Sequence, residues 1–291
     1  MKIKPRGIIP PMITPFDEEE RVDSKALTKM TNYLINAGVH GVFPLGSTGE
    51  GYGIDFNEKR KVIETVLEAT SKRVPVYAGT GAITTKESIR LAEMATEIGV
   101  DALSVITPYF INPNQEELYA HYVAIAESTD LPIILYNNPG RTGVSLSVDL
   151  IVRLSRIDNI IGIKDSSGDM SQAAEIIRRT KGDFAVLAGR DTLIYGFLAH
   201  GAHGSVAATA NIVPELVVSI YELYQKGDHQ AALEAQFKLA PLRMAFSLGS
   251  FPVIMKEGLK LRGIDVGNTL RPIQPLTAEA RDKLQNILKM L

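Results

Sequence analysis
The sequence predicts an α/β chain: a (β/α)8 barrel of the TIM type with a C-terminal helical appendix. Three observations carry that prediction. Short β-branched apolar runs alternate with helical apolar periodicity eight times in about 225 residues, which implies right-handed crossovers and a parallel sheet. Eight units of that length close into a barrel. The glycine-rich and polar turns follow the strands rather than the helices, and from about Gly227 onward helical periodicity continues without strands. The chain therefore divides into a barrel over 1–226, which carries the active site, and a helical domain over 227–291. An open doubly wound sheet is the rival arrangement, disfavoured because no G-x-G-x-x-G follows the first strand.

Residues 7–13 read as the first strand, whose prolines are tolerable at an edge or strand end. Asp23 or Ser24 caps the helix that follows, and Gly38 stops it. The second strand, 41–45, runs into a glycine-rich loop over 46–53, and a helix over 57–71 puts Val62, Ile63, Val66 and Leu67 on one stripe. Strand 75–78 pairs with helix 85–98, stopped by Gly99, and strand 101–106 with helix 115–128. Strand 131–136 ends in a polar stretch over 137–143 and precedes a helix over 147–154. The sixth strand holds Ile160, Ile161 and Ile163, the pattern of a strand buried on both faces, with Lys164 at its far end and a helix over 171–180 behind it. Strand 184–188 leads through Gly189, Arg190 and Asp191 into a helix ending at His200; strand 204–207 precedes a helix over 213–226. The appendix contains helices over 228–248, 251–261 and 277–291.

Composition narrows the function. Of 291 residues 45% are hydrophobic and 22% charged, the balance of an ordinary globular chain. A net charge of −2 without long single-sign runs implies neither nucleic acid nor an anionic membrane as partner. With no cysteine there are no disulfides, thiol nucleophiles or thiolate metal sites. The basic stretch 1–6 is not followed by an apolar region, so no signal peptide is expected; no apolar run reaches membrane-spanning length, and a cytoplasmic protein is expected.

In such a barrel, chemistry gathers at the C-terminal ends of the strands. Ser47, Thr48, Tyr109, Tyr136, Arg141, Lys164 and Asp191 all fall there. A lysine at the end of a buried strand suits a Schiff base, because apolar surroundings disfavour an ammonium and only the neutral amine attacks a carbonyl. Tyr136 beside it becomes a candidate proton shuttle. Arg141 suits bidentate capture of a carboxylate. The loop 46–53 lacks the ending of a nucleotide-binding P-loop, and its backbone N–H groups and two hydroxyls suit a small carboxylate. His200 and His203 lack a complete metal set and read as structural, and nothing in their spacing distinguishes Asp165 and Asp191 from ordinary loop acids. No metal or organic cofactor is expected, since an imine is itself the electron sink.

Four stretches carry a resemblance: Gly46-Ser-Thr-Gly-Glu50, Tyr136-Asn-Asn-Pro-Gly-Arg-Thr-Gly143, Gly162-Ile-Lys-Asp-Ser-Ser-Gly168 and Gly189-Arg-Asp191. With them the whole chain resembles the pyruvate-dependent class I aldolases, the dihydrodipicolinate synthase and N-acetylneuraminate lyase family. The resemblance implies a Schiff base between Lys164 and a 2-keto acid, pyruvate in most members. It implies that Thr48 holds the pyruvate carboxylate, that Tyr136 and Ser47 relay protons, and that Val206 and Gly189 border the substrate. Arg141 matches the arginine that grips the second substrate's carboxylate, which tilts the resemblance toward the synthase branch. The implied reaction is condensation of pyruvate with aspartate-4-semialdehyde in a homotetramer, a dimer of dimers. An aldolase or dehydratase of sugar-derived 2-keto acids and a catalytically silent keto-acid-binding barrel are the alternatives. Phe110 stands where the synthases place a tyrosine that reaches across the dimer. Phe56, Lys59 and Ile83 stand where lysine-inhibited members carry histidines and an asparagine, while Glu87 and Tyr109 match. That replacement predicts an enzyme insensitive to lysine, since Lys59 repels the ligand's own charge.

Overall fold
In the computed structural model, which describes residues 3–180, 182 and 184–291, seven short parallel strands form one curled sheet. Met1 and Lys2 of the basic N-terminal stretch lie outside the described residues. The strands are β1 (Gly7–Ile8), β2 (Tyr77–Gly79), β3 (Ala102–Ile106), β4 (Ile133–Asn137), β5 (Ile160–Asp165), β6 (Ala185–Ala188) and β7 (Gly204–Ser205), in the order β1-β7-β6-β5-β4-β3-β2. Both edges of this sheet reach the stretch 42–43: Pro11 bridges Phe43 and Val42 bridges Val76, each in parallel. The sequence reading makes 41–45 a full strand and extends the first strand to residue 13. Only bridges form there, because Pro10, Pro11, Pro44 and Pro75 have no N–H to give a continuous ladder.

Helices separate the strands. They are α1 (Ser24–Asn36), α2 (Phe56–Thr70), α3 (Thr85–Ile98), α4 (Gln115–Glu127), α5 (Pro139–Thr142), α6 (Val148–Leu154), α7 (Met170–Thr180), α8 (Ile194–Ala199) and α9 (Pro214–Gln225). Their starts follow from capping: Asp23 accepts from the Lys25 and Ala26 amides, and Asn114 and Glu117 form a reciprocal capping box. The four-residue α5 is absent from the sequence reading. It forms because Pro139 suits a first helical position and Gly143 accepts the left-handed conformation that ends it. Three further helices follow, α10 (His229–Met244), α11 (Val253–Leu261) and α12 (Ala278–Leu288). Where one helix is expected over 228–248, α10 stops at Met244 and tightens into a 3-10 turn, four residues after Pro241 removes a backbone donor.

Alternation along the buried strands creates two cores. Ile9, Phe43, Tyr77, Ala102, Ile134, Leu187 and Val206 form a small inner cluster, contributed by the strands and the stretches that bridge them. Leu103, Val105, Ile133, Leu135 and Ile163 face the other way and join the large cluster built with the helices. Among the described residues no helix is long and apolar enough to cross a membrane.

One packing detail has a pH consequence. His121 of α4 is buried against Tyr122, its Nδ1 lies 2.9 Å from Thr85 Oγ1, and its Nε2 has no hydrogen-bond partner among the described residues. Burial pushes its pKa from 6.5 down to about 4. As pH falls from about 6.5 to about 4, the unfolded chain takes up a proton that the folded one refuses, so stability falls, by about 3 kcal/mol at most. Denaturant unfolding at pH 7 and pH 4.5 should show that loss in the native chain and a smaller one in His121→Gln. Equal losses would mean that His121 is not the group responsible.

Candidate active site
The register of β4 on β5 sets Tyr136 opposite Lys164 and Asn137 opposite Asp165. Paired residues in a parallel ladder share a face, so phenol and amine meet on the inner side of the sheet. Both side chains are buried, and Lys164 Nζ lies 3.8 Å from the Tyr136 ring centroid and 5.1 Å from that of Phe43. Asn138 Nδ2 donates to Tyr136 Oη at 2.8 Å. Burial alone raises a phenol, but the charge of Lys164, with polar contacts from Asn138, Lys164 and Ser47, outweighs it and holds Tyr136 below its ordinary pKa.

Around this pair lies a cavity of about 230 Å³, lined by the seven residues to which the resemblance gives a catalytic or binding role, Ser47, Thr48, Tyr136, Arg141, Lys164, Gly189 and Val206, and by Asp191, but not by Tyr109. The loop 46–53 presents Ser47 and Thr48 because its glycines pack backbone on backbone. A Cβ on Gly49 would lie 2.7 Å from Met12 O, and Thr14 Oγ1 donates to Gly49 O at 2.7 Å. Arg141 sits on α5, its guanidinium 4.1 Å from the Phe251 ring centroid; burial lowers its pKa, partly offset by Tyr136 and Tyr52, with Arg190 pressing the same way as burial. Asn138, Arg190, Arg243, Phe246 and Phe251 also line the cavity. Asn138 and Arg190 lie inside the quoted motifs, whereas Arg243, Phe246 and Phe251 come from the appendix, where no strand end marks them.

The remaining polar residues have structural partners. Asp165 accepts from Asn137 Nδ2 at 2.9 Å and from Ser167 Oγ at 2.8 Å, and burial raises its pKa against those bonds. Asp191 Oδ2 accepts from the Thr209 amide at 2.7 Å. His203 Nδ1 accepts from the Val186 amide, and His200 Nδ1 lies 2.8 Å from Gly196 O. An adjoining cavity of about 240 Å³ shares Ser47, Tyr136, Arg141 and Phe251 and takes in Lys59, Tyr52 and Tyr109. Burial lowers the Lys59 pKa there, against the charges of Glu87 and Asp55. Phe110 is 86% exposed at a φ of +78°.

A parallel α/β fold with a buried lysine beside a phenol at its strand ends suits a lyase of the class I kind, one that works through a lysine imine. The profile of the dihydrodipicolinate synthetase family matches residues 4–291, and the chain belongs to that family. It is 40% identical over 285 residues to a 4-hydroxy-tetrahydrodipicolinate synthase of Methanosphaerula palustris, covering 97% of this chain and 98% of the relative. Its structure resembles dihydrodipicolinate synthase from Bacillus anthracis at a TM-score of 0.96, with 39% identity and 99% of each chain covered. It also resembles the chloride-inhibited dihydrodipicolinate synthase from Acinetobacter baumannii complexed with pyruvate, at a TM-score of 0.95, 38% identity and 98% of each chain.

The close approach of β5 and β6 is testable at Gly189. A Cβ there would strike Ser166 Oγ and come within 2.9 Å of Asp165 O. Gly189→Ala should cost about 1–3 kcal/mol of stability through overpacking and should reduce borohydride trapping of a pyruvate adduct. Unchanged melting and trapping would show that the strand ends open freely at this point.

Proposed function
We propose that this chain condenses pyruvate with aspartate-4-semialdehyde through an imine at Lys164. The observation that carries the reading is the convergence of Lys164, Tyr136, Ser47, Thr48 and Arg141 on one cavity. The names of the relatives, 4-hydroxy-tetrahydrodipicolinate synthases, support the choice of reaction. The Lys164 amine adds to C2 of pyruvate, and loss of water forms the imine. Loss of a methyl proton gives the enamine, with Tyr136 and Ser47 as the relay that carries the protons. The enamine carbon forms a bond to the aldehyde carbon, and the aldehyde oxygen takes a proton. Lys164 leaves when water or an amine takes its place at C2. Thr48 and the loop amides hold the pyruvate carboxylate, Val206 and Gly189 border it, and Arg141 grips the carboxylate of the aldehyde.

We further infer that residues 41–45 complete a closed (β/α)8 barrel over 1–226, with 227–291 as a separate helical domain. The bridges from Val42 and Phe43 to the two sheet edges support that closure. A cytoplasmic homotetramer of two tight dimers follows from the same reading, and the exposed Phe110 and Ile111 support a surface that pairing would cover. The second reading, a lyase of sugar-derived 2-keto acids, is favoured by Phe110, which has no hydroxyl to give to a relay.

Two measurements test the proposal. Pyruvate with borohydride should leave one reduced adduct per chain, on Lys164, and Lys164→Arg should give neither adduct nor turnover, because arginine stays protonated. Label on another lysine would sink the mechanism. Arg141→Ala should lower kcat/KM for aspartate-4-semialdehyde by roughly tenfold to a hundredfold through loss of a charge-assisted contact while imine trapping survives. Equal damage to trapping would make Arg141 structural.

A further inference from the structure
We propose that the acceptor side of the cavity takes aldehydes bearing a second anionic group, a phosphate ester or a second carboxylate, held by Arg190 and Arg243 beside Arg141. This rests on the imine reading above and extends the acceptors beyond the single carboxylate of aspartate-4-semialdehyde.

Three guanidiniums line one cavity of about 230 Å³ together with Lys164. Among the described residues none of the three forms an ion pair, and neither Arg141 nor Arg243 donates a side-chain hydrogen bond to the protein. The one carboxylate lining the cavity, Asp191, is 2% exposed and already accepts from the Thr209 amide. An arginine carries five N–H donors, and Arg190 gives one of its own, Nε, to Ser166 O at 3.0 Å. Most of the donors in this cluster, which lines the cavity, therefore have no protein acceptor among the described residues.

The guanidiniums are also held in place. Arg141 lies on the face of Phe251 at 4.1 Å and Arg243 on the face of Phe246 at 4.4 Å, and those two rings are 5.9 Å apart. Arg190 Nη2 reaches Gly140, within 4.0 Å of where a Cβ would stand, one residue from Arg141. Burial lowers the Arg243 pKa; Asp191 opposes this, and Arg190 and Arg141 add to it. Like charges gathered in a partly desolvated cavity repel one another, and an anion among them relieves that repulsion while filling planar donor forks. The pyruvate carboxylate goes to Thr48 and the loop amides, so the arginine cluster is left to the acceptor. One carboxylate uses one fork; Arg190 and Arg243 remain for another anion.

The test uses the whole enzyme with pyruvate and two acceptors of one carbon skeleton, D-glyceraldehyde and D-glyceraldehyde 3-phosphate. kcat/KM should favour the phosphate ester by tenfold or more, and that ratio should fall at least fivefold in Arg243→Gln and in Arg190→Gln. Arg243→Lys, which keeps the charge, should retain part of it. Variants are compared only where borohydride still traps pyruvate on Lys164, which certifies a folded, loaded site. A second arm separates the anions in the native enzyme: malonate competing with the aldehyde more strongly than acetate reads a dicarboxylate site, and inorganic phosphate doing so reads a phosphate site. A ratio near one in the native enzyme, with neither malonate nor phosphate competing better than acetate, overturns the inference, as does a ratio that the glutamine variants leave unchanged. If the native enzyme forms no Lys164 adduct, the imine reading falls and this inference falls with it; an adduct without anion preference overturns this inference alone.

Discussion
An amine buried without a carboxylate is the constraint around which the strand ends are arranged. Lys164 is 4% exposed and has no ion-pair partner among the described residues. Aromatic faces take that role, Tyr136 at 3.8 Å and Phe43 at 5.1 Å, and a desolvated cation over a ring gains about 2 kcal/mol. An aspartate in the same place would hold the lysine as a permanent counter-ion, whereas here two ring faces and a polar contact with the Tyr136 hydroxyl meet the amine. The sheet makes the arrangement almost unavoidable. Parallel register pairs Tyr136 with Lys164, and Gly162, two residues earlier on the same face, is forced by a neighbour: a Cβ there would lie 2.6 Å from Ala185 O.

The loop carrying Ser47 and Thr48 depends on a different contact, far along the chain. Glu50, at a φ of +54°, pairs with Lys256 of α11 at 2.9 Å, and both side chains are essentially inaccessible to solvent. Each is satisfied on its other side, since Glu50 Oε2 accepts from the Leu270 amide at 2.7 Å and Lys256 Nζ donates to Asn268 O at 2.6 Å. Burial pushes the Lys256 pKa down to about 8 even though Glu50 pulls it up, so desolvation outweighs attraction in this pair. A buried pair of that kind is a weak source of stability. Its evident effect is geometric: it ties the loop beside Ser47 and Thr48 to the C-terminal helices, so that neither part can shift without stranding a charge.

Most of this was legible in residue order. Alternation marked the strands, Asp23 and Gly99 marked helix ends, and of the seven residues selected by the rule that barrel chemistry follows strands, six line one cavity while Tyr109 lines the adjoining one. What the sequence concealed has three physical origins. Strand length was over-read at 7–13 and 41–45, because apolar periodicity counts Pro10, Pro11 and Pro44 as strand-compatible while the ladder needs their missing donors. The break after Met244 was invisible because one proline inside a long helical pattern does not say whether the helix kinks or stops. Arg243, Phe246 and Phe251 could not be found at all by the strand-end rule, since they approach the cavity from helices whose packing direction leaves no local signature.

That last group separates two kinds of specificity in the fold. Lys164, Tyr136 and Val206 stand on or directly after paired strands, where register fixes them to a fraction of a residue and exchange of one would disturb its neighbours on both faces. Arg141 stands on the short α5, Arg243 in the last turn of α10, and Phe246 and Phe251 between α10 and α11, all touching the cavity from outside the sheet. Substitution there changes what the cavity faces without moving the amine or the phenol. Phe110 differs from this outer set: it is exposed on a turn after β3 and lines neither cavity, so its lack of a hydroxyl leaves Lys164, Tyr136 and their surroundings as they are in this chain. A family can therefore keep its imine chemistry in the sheet and vary the acceptor through helices and turns. In this chain, the arginines of the outer set give that variation its sign.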